Sequence, residues 1–546
     1  MTELLTAAQM RAIEAAAIAS GEVTGLELME RAGRGVVEAV FEEWPELAAT
    51  SHRAVVLCGP GGNGGDGFVV ARLLKEWGWE VEVFLHGDPE RMPPDARVNY
   101  ERWVGTGEIA PLSAWRTRQK GGACDLFVDA LFGTGLTRPL PDLVDIFWNM
   151  DDMVDCCEIE QGHEIGRPAI VAVDIPSGIC ADSGRKIGEE GYGRDAARVH
   201  LTVTFHQPKL GHILSDGPEA SGRLVVVDIG LERHTGGMVL LNGPPEEILK
   251  SEGHKYSHGH ALILSGPSGR TGAARLSARG ALRIGAGVVT VGCPPDAVAE
   301  NAARLDAVLL RGVADGLSLD AVLEDRRINA LCLGPGLGLD ARGVELVTVA
   351  LDVPVPGLTP DLDQHGPQAG HGGPGSSPGR GLVLDADALT ILSRHPDLFA
   401  ALHDGCVLTP HAGEFARLFP DIAAKLAAPA TTGPAYSKVD ACREAAKRAG
   451  CVVLFKGPDT VIAGPDGRCA VNSAQYERAA PWLATAGSGD VLAGFIAGLL
   501  ARGFAPFDAA CTAAWLHVEC ARSFGPGLIA EDLAEELPKV FRALGL

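Results

Sequence analysis

Short runs of aliphatic and β-branched residues recur along the chain, and between them apolar positions fall at helical spacing. In the first half the runs are 53–58 (RAVVLC), 81–86, 125–132, 169–175 (AIVAVDI), 200–205 and 223–229. Their apolar residues are consecutive, not alternating, so both faces of each strand must be covered. Helical patterns such as 67–77 (GFVVARLLKEW) separate several of them, and two further helices, 6–19 and 25–41, precede the first strand. This alternation predicts α/β architecture with a mainly parallel sheet. A polar stretch with Gly-Pro-Pro at 231–256 breaks the series. A second series then begins at 260–265 (HALILS), 287–292, 329–333, 381–384, 406–408 and 452–455. The pattern predicts two domains, 1–235 and 256–546, joined by a linker at 236–255.

Two segments fit neither periodicity. Residues 353–380 are rich in Pro, Gly, Ser and His and read as an exposed, disordered insertion. Its His365 and His371 read as part of a solvated loop, not a metal tract. The acidic segment 150–166 resembles a smaller insertion.

Composition narrows the classes. Gly is 70 of 546 residues, about 13% against a usual ~7%. The glycines have no period of three, which excludes collagen, and 46% hydrophobic content argues against broad disorder. Glycine is therefore expected in turns, where a backbone approaches a ligand or takes positive φ. The net charge of −23 disfavours nucleic acid as a partner. The longest apolar stretch, Val491 to Ala501, is too short to span a bilayer, and the N-terminus lacks a signal-peptide core. The 13 cysteines form no C-x-x-C and read as reduced thiols of a cytoplasmic protein.

Strand 53–58 runs into GPGGNGGDG and then a helix. Gly59, Gly61 and Gly64 fit G-x-G-x-x-G, a dinucleotide signature that is weak alone. Asn63 and Asp66 sharpen it, because a carboxylate in a phosphate loop repels the ligand unless a cation or sugar hydroxyl intervenes. Asp129, in VDALFGTGL, and Asp174 and Ser177, in VDIPSG, stand at other strand ends, where doubly wound sheets bind ligands. Asn63, Asp129 and Ser177 are oxygen donors that suit a hard cation.

These pieces, with LTAAQMRAIE, LMERAG and TFHQPKLGH, resemble the NAD(P)H-hydrate epimerase domain over nearly all of residues 5–230. The resemblance implies a Rossmann-like doubly wound sheet and a K+ site at Asn63, Asp129 and Ser177. It also implies a substrate site made by Gly62, Asn63, Gly64, Gly65 and Asp66, by Gly133, Thr134, Gly135, Leu136, Thr137, Arg138 and Pro139, and by Asp174. The substrate would be hydrated NADH or NADPH (NADHX or NADPHX), whose (R) and (S) forms differ at C6. Asp174 would serve as acid/base, with Lys209 a weaker candidate to assist.

In the second half, TAGSGD (485–490) opens a helix. Free N–H groups there make an anion hole with Asp490 at its edge. Lys456 follows a buried strand in FKGPDTVIAGPDG, the turn GPGLG (334–338) follows another, and LDADAL and TPHAGEF, with Asp385, His411 and Glu414, follow two more. This set resembles the ribokinase-like superfamily, and within it the ADP/ATP-dependent NAD(P)H-hydrate dehydratase, over about 260–505. The resemblance implies substrate contacts at Ala273, Gly336, His411 and Asp490. It implies nucleotide contacts at Lys456, Gly457, Pro458, Asp459, Thr460 and Gly489, with Mg2+ accompanying ADP or ATP. Asp490 would take the C6 hydroxyl proton as that oxygen attacks the terminal phosphoryl group, and elimination of phosphate would restore the nicotinamide. Bacterial relatives favour ADP; the residues do not choose. Arg270, in GPSGRTG, has no place in this scheme.

Epimerase and dehydratase halves complement one another, one supplying the (S) form that the other consumes. Two rivals remain: a ribokinase-like small-molecule kinase fused to a dinucleotide-binding module, and a non-enzymatic N-terminal scaffold. A homo-oligomer is compatible with the sequence, which marks no interface. Neither nucleic acid nor membrane is an expected partner.

Overall fold

The structure, a computed structural model, describes all residues except 1, 118–123, 156–158, 161–162, 165–167, 189–195, 233–238, 247, 251 and 353–379. The insertion expected at 353–380, with His365 and His371, thus lies outside the described residues apart from Arg380. The chain divides into two compact units. One holds Thr2–Leu240 together with Ala427–Lys438; the other holds Leu241–Leu426 and Val439–Leu546.

The first unit contains strands β1 (Arg53–Cys58), β2 (Glu80–Leu85), β3 (Ile109–Pro111), β4 (Leu126–Ala130), β5 (Ala169–Val173), β6 (Leu201–Phe205) and β7 (Arg223–Val227). They form a parallel sheet in the order β7-β6-β5-β4-β1-β2-β3. Ala54, Val56 and Cys58 belong to one apolar cluster, and Val55 and Leu57 to another. Side chains alternate across a strand, so this explains the unbroken apolar run. Helices α1 (Ala7–Ser20) and α2 (Gly25–Glu43) start where Thr6 and Thr24 accept from the backbone N–H of Gln9 and Glu27. Strand order reverses between β1 and β4, and in doubly wound sheets ligands bind in the crevice beyond the C-terminal strand ends at such a point.

Three expectations need correction here. Helix α3 runs Gly62–Glu76, not 67–77, so residues 62–66 are its first turn and only 59–61 are loop. A Cβ on Gly64 would collide with the Gly59 carbonyl, and one on Gly67 would lie 2.7 Å from Ala130 Cβ. Close packing on β1 and β4 overrides the poor helix propensity of four glycines. The segment 150–166 is not all insertion, since a helix spans Val144–Asp155, and Ile159–Glu160 pairs antiparallel with His163–Glu164. The linker 236–255 is structured in part: Val239–Leu241 is a strand. Asn242, 5% exposed, donates to Asn472 Oδ1 at 3.0 Å and the Cys511 carbonyl at 2.7 Å.

In the second unit, strands β8 (His260–Leu264), β9 (Val288–Cys293), β10 (Leu309–Gly312), β11 (Ala330–Leu333), β12 (Gly381–Leu384), β13 (Cys406–Leu408), β14 (Val452–Phe455), β15 (Asp459–Ala463) and β16 (Cys469–Ser473) lie in the order β16-β15-β14-β13-β12-β11-β8-β9-β10. Pairing is parallel from β10 to β14 and antiparallel for β15 and β16. The order reverses between β8 and β11. The apolar stretch Val491–Ala501 is buried throughout, inside helix α5 (Ser488–Ala501), which packs on α4 (Gly272–Arg283). Gly494 is required there, because a Cβ would run into the Ser277 carbonyl. Among the described residues no helix is long and apolar enough to cross a membrane. Their cysteines are all free, and buried except Cys124.

Candidate functional site

At the crevice of the first unit, Gly61 precedes α3 with no side-chain cap, leaving the helix N–H groups free for a ligand. A Cβ on Gly133 would lie 2.9 Å from Asn63 Oδ1 and 3.2 Å from Asp174 Oδ2, so glycine there lets the 133–139 turn close on both groups. Asp174 adopts φ 67, in the left-handed region, which costs a non-glycine residue about 1 kcal/mol or more. Its own N–H donates to the Val203 carbonyl at 2.8 Å, and its carbonyl accepts from His212 Nε2 at 2.8 Å. Held this way, the carboxylate accepts from Thr134 N (3.3 Å) and Thr204 Oγ1 (2.9 Å) and pairs with Lys209 Nζ at 3.0 Å.

Lys209 is only 1% exposed and also donates to Thr204 Oγ1 at 2.8 Å and the Phe205 carbonyl at 3.0 Å. Burial raises the Asp174 pKa, and the Lys209 ammonium is the largest opposing influence. With the His212 ring and hydrogen bonds from Lys209 and Thr204, it holds the carboxyl below its ordinary value. Asp174 is thus ionised and ready to accept a proton. Two neighbouring carboxyls move the other way. Desolvation, then the Asp174 and Glu14 charges, lift Asp66 well above its ordinary value. Desolvation, then Asp174, raise Glu14. Glu14 on α1, Thr204 and His212 escaped the sequence reading, although TFHQPKLGH spans the last two.

Asp129 and Ser177 meet in the same unit. Ser177 Oγ donates to Asp129 Oδ1 at 2.7 Å, and Ser177 N and Leu131 N donate to the two carboxylate oxygens at 2.9 and 3.2 Å. Asp129 is fully buried, which raises its pKa, and these hydrogen bonds oppose the rise. The buried Nδ2 of Asn63 has no hydrogen-bond partner among the described residues.

In the second unit, Asp490 lies in the first turn of α5, after Gly487 at φ 91. Ser277 Oγ donates to the Asp490 carbonyl at 2.8 Å, and Ser488 Oγ turns back to the Leu483 carbonyl at 2.9 Å. The leading N–H groups of α5 have no side-chain cap. Lys456 Nζ pairs with Asp385 Oδ1 at 2.9 Å, lies 3.8 Å from Glu414 Oε2 and would be 3.5 Å from a Cβ on Gly489. Burial, with the Asp385 charge adding and Lys456 opposing, raises Asp490 to about 7. Burial lowers Lys456, but Asp385 and Glu414 outweigh it and keep the ammonium charged.

A 530 Å³ cavity brings together Lys456, Gly457, Pro458, Thr460 and Gly489, within the size range of small-ligand pockets. Asp459 does not line it. The cavity also reaches His517, which the sequence reading missed. Its Nε2 donates to the Ser488 carbonyl at 2.9 Å, and burial lowers its pKa to about 4, so the ring is neutral. Ala273 lies in the first turn of α4. Gly336 takes φ 65, and a Cβ on it would lie 2.6 Å from the Arg270 carbonyl, which seats the 334–338 turn on the 266–271 loop. His411 is an exposed helix cap: its Nδ1 accepts from Gly413 N at 3.0 Å, and Glu414 accepts from His411 N at 2.9 Å.

Residues 25–211 match the family described as YjeF-related protein N-terminus, and residues 261–363 and 376–539 match the one described as NAD(P)H-hydrate dehydratase. Fold and matches together define a two-unit α/β enzyme. The chain is 35% identical to the bifunctional NAD(P)H-hydrate repair enzyme Nnr of Moorella thermoacetica, over 99% of this chain and 97% of that protein. It is 32% identical to the enzyme of the same name from Thermofilum pendens, over 95% and 92%. The NAD(P)H-hydrate epimerase of Rhodobacter capsulatus is 48% identical over 39% of this chain and 92% of that protein. A solved ADP/ATP-dependent NAD(P)H-hydrate dehydratase from Bacillus subtilis is 26% identical over 55% of this chain and 94% of that chain, with a TM-score of 0.42. The chain belongs to the family of bifunctional NAD(P)H-hydrate repair enzymes.

Proposed function

We propose that the first unit interconverts the (R) and (S) forms of hydrated NADH and NADPH, and that the second dehydrates the (S) form at the expense of ADP or ATP. Asp490 carries this reading most directly. A carboxyl at about pKa 7, at the open N-terminus of a buried helix and close to a charged lysine, suits a general base beside a phosphoryl acceptor site. Asp490 takes the proton of the C6 hydroxyl, and the C6 oxygen bonds to the terminal phosphorus of the nucleotide. The nucleotide leaves shortened by one phosphate. Phosphate then departs from C6 with the C–O electron pair, the ring nitrogen supplies electrons, and loss of a C5 proton restores the double bond. The N–H groups of α5 and Lys456 stabilise charge on the transferring group, and His411 orients the substrate.

In the first unit the ionised Asp174 accepts the C6 hydroxyl proton as the bond between the ring nitrogen and C6 breaks, its electron pair going to that nitrogen and C6 becoming an aldehyde; it returns the proton to the C6 oxygen when the nitrogen re-adds to the other face. Lys209 keeps it ionised. Asn63, Asp129 and Ser177 fit a monovalent cation. The set is oxygen-rich, and the buried Asp129 has no ion pair among the described residues. K+ held there would supply positive charge to the substrate phosphates. Among the described residues no three His, Cys, Asp or Glu side chains form a metal cluster. Mg2+ would accompany the nucleotide phosphates and offset their charge.

The test incubates the protein with mixed (R) and (S) hydrated NADH plus ADP or ATP and follows NADH absorbance. Full conversion is expected for the wild type, the (S) fraction alone for Asp174→Ala, and none for Asp490→Asn. Accumulation of a phosphorylated product without NADH would favour a kinase instead.

A further inference from the structure

Residues Ala427–Lys438 stand in the sequence between two helices of the second unit, Pro420–Ala427 and Lys438–Ala449, yet they belong to the first compact unit. Gly433 N donates to the Thr137 carbonyl at 3.0 Å. Arg185 Nη1 donates to the Tyr436 carbonyl at 3.2 Å, and its Nη2 bonds the Ala428 carbonyl. Gly188 N donates to the Ala430 carbonyl at 3.1 Å. Ala430 and Ala435, each 7% exposed, join Leu136, Leu140, Cys180 and Ile187 in one apolar cluster. Gly433 has no space for a side chain: a Cβ would lie 2.6 Å from the Leu136 carbonyl and 3.2 Å from Thr137 Cα.

These contacts fall on two loops. One is the 133–139 turn; the other continues from Ser177 and includes Arg185. A turn with Thr137 and Arg138 exposed has little packing of its own, because Leu136 alone among residues 133–139 is buried. Its backbone needs an outside partner to hold one geometry, and the Thr137 carbonyl accepts from Gly433 N.

We infer that residues 427–438 are a positioning strap for the first unit's site, fixing the 133–139 turn so that it binds hydrated nicotinamide nucleotide. The inference rests on the proposed reading of that turn. The strap's contacts fall on the 133–139 turn and on the loop that carries Arg185, so the strap acts on substrate binding. Epimerisation thereby depends on a segment encoded within the dehydratase half of the chain.

The experiment uses the full-length chain. (R)-to-(S) conversion is followed by chromatography without nucleotide, and dehydration of the (S) form with ADP is measured on the same preparation. Gly433→Val should raise KM for the (R) form about tenfold, with kcat and (S) dehydration retained. Arg185→Met removes two contacts without adding bulk and should raise KM about threefold; it serves if Gly433→Val does not fold. A fall in kcat at unchanged KM would report lost folded protein and would overturn the inference, as would wild-type constants in both variants. Absence of (R)-to-(S) conversion in the wild type would instead sink the reading of the first unit.

Discussion

Replacing Asp490 with Asn should abolish dehydration and, at alkaline pH, make the second unit more stable. Burial, Asp385 and Lys456 together place the carboxyl at about 7, against an ordinary 3.8. The folded protein therefore holds this proton more tightly than the unfolded chain. Its penalty is absent below about pH 3.8, grows as the pH rises towards 7, and is complete above it. At 1.36 kcal/mol per pH unit, the interval corresponds to an upper value of ~4 kcal/mol. Asn keeps the shape and never ionises, so it escapes the penalty at every pH. Urea unfolding of both proteins at pH 5, 6.5 and 8, read at the transition that ADP shifts, measures the difference. The gain should increase across the series and level off above about pH 7, at roughly 2–4 kcal/mol. A gain equal at all three pH values, or a loss at pH 8, would refute the argument that burial sets this carboxyl's proton affinity. Wild-type kcat for the (S) form should rise with pH to a plateau above about 7.

Three further outcomes follow from the same geometry. Lys456→Met removes the charge that lowers Asp490, so the pH midpoint of dehydration should move above 7 and KM for ADP should rise; a downward move would contradict the assignment. Lys209→Met strips the buried Asp174 of its counter-charge, which should destabilise the first unit by about 3 kcal/mol. It should also shift epimerisation to higher pH, with (S) dehydration intact. Ser177→Ala deletes the 2.7 Å bond to Asp129 and should leave epimerisation equal in K+ and tetramethylammonium buffers, whereas the wild type should prefer K+.

Local chemistry made much of this architecture readable. Strands β1, β4, β5, β8, β11 and β12 are apolar on both faces because both faces are buried, and that leaves a mark on every residue. The glycine turns beside them stand out for the same reason. Distant contacts leave no such mark. Val239–Leu241 is too short to show a period, and the first turn of α3 is helical only because glycines allow it to lie against Gly59 and Ala130. Glu14 resembles any helix-surface glutamate until Asp174 is brought near it. Residues 427–438 (AAPATTGPAYSK) carry no mark that separates them from their own half of the chain; only the fold assigns them to the other unit.

A stoichiometric assay decides whether one chain repairs both hydrated forms. Purified protein, K+, Mg2+ and ADP or ATP in excess are added to a known (R)/(S) mixture of hydrated NADH. NADH should equal the total hydrate, with one nucleotide phosphoanhydride consumed per NADH formed. NADH equal to the (S) fraction alone would remove the first unit's role, and nucleotide consumption without NADH would contradict the dehydratase assignment.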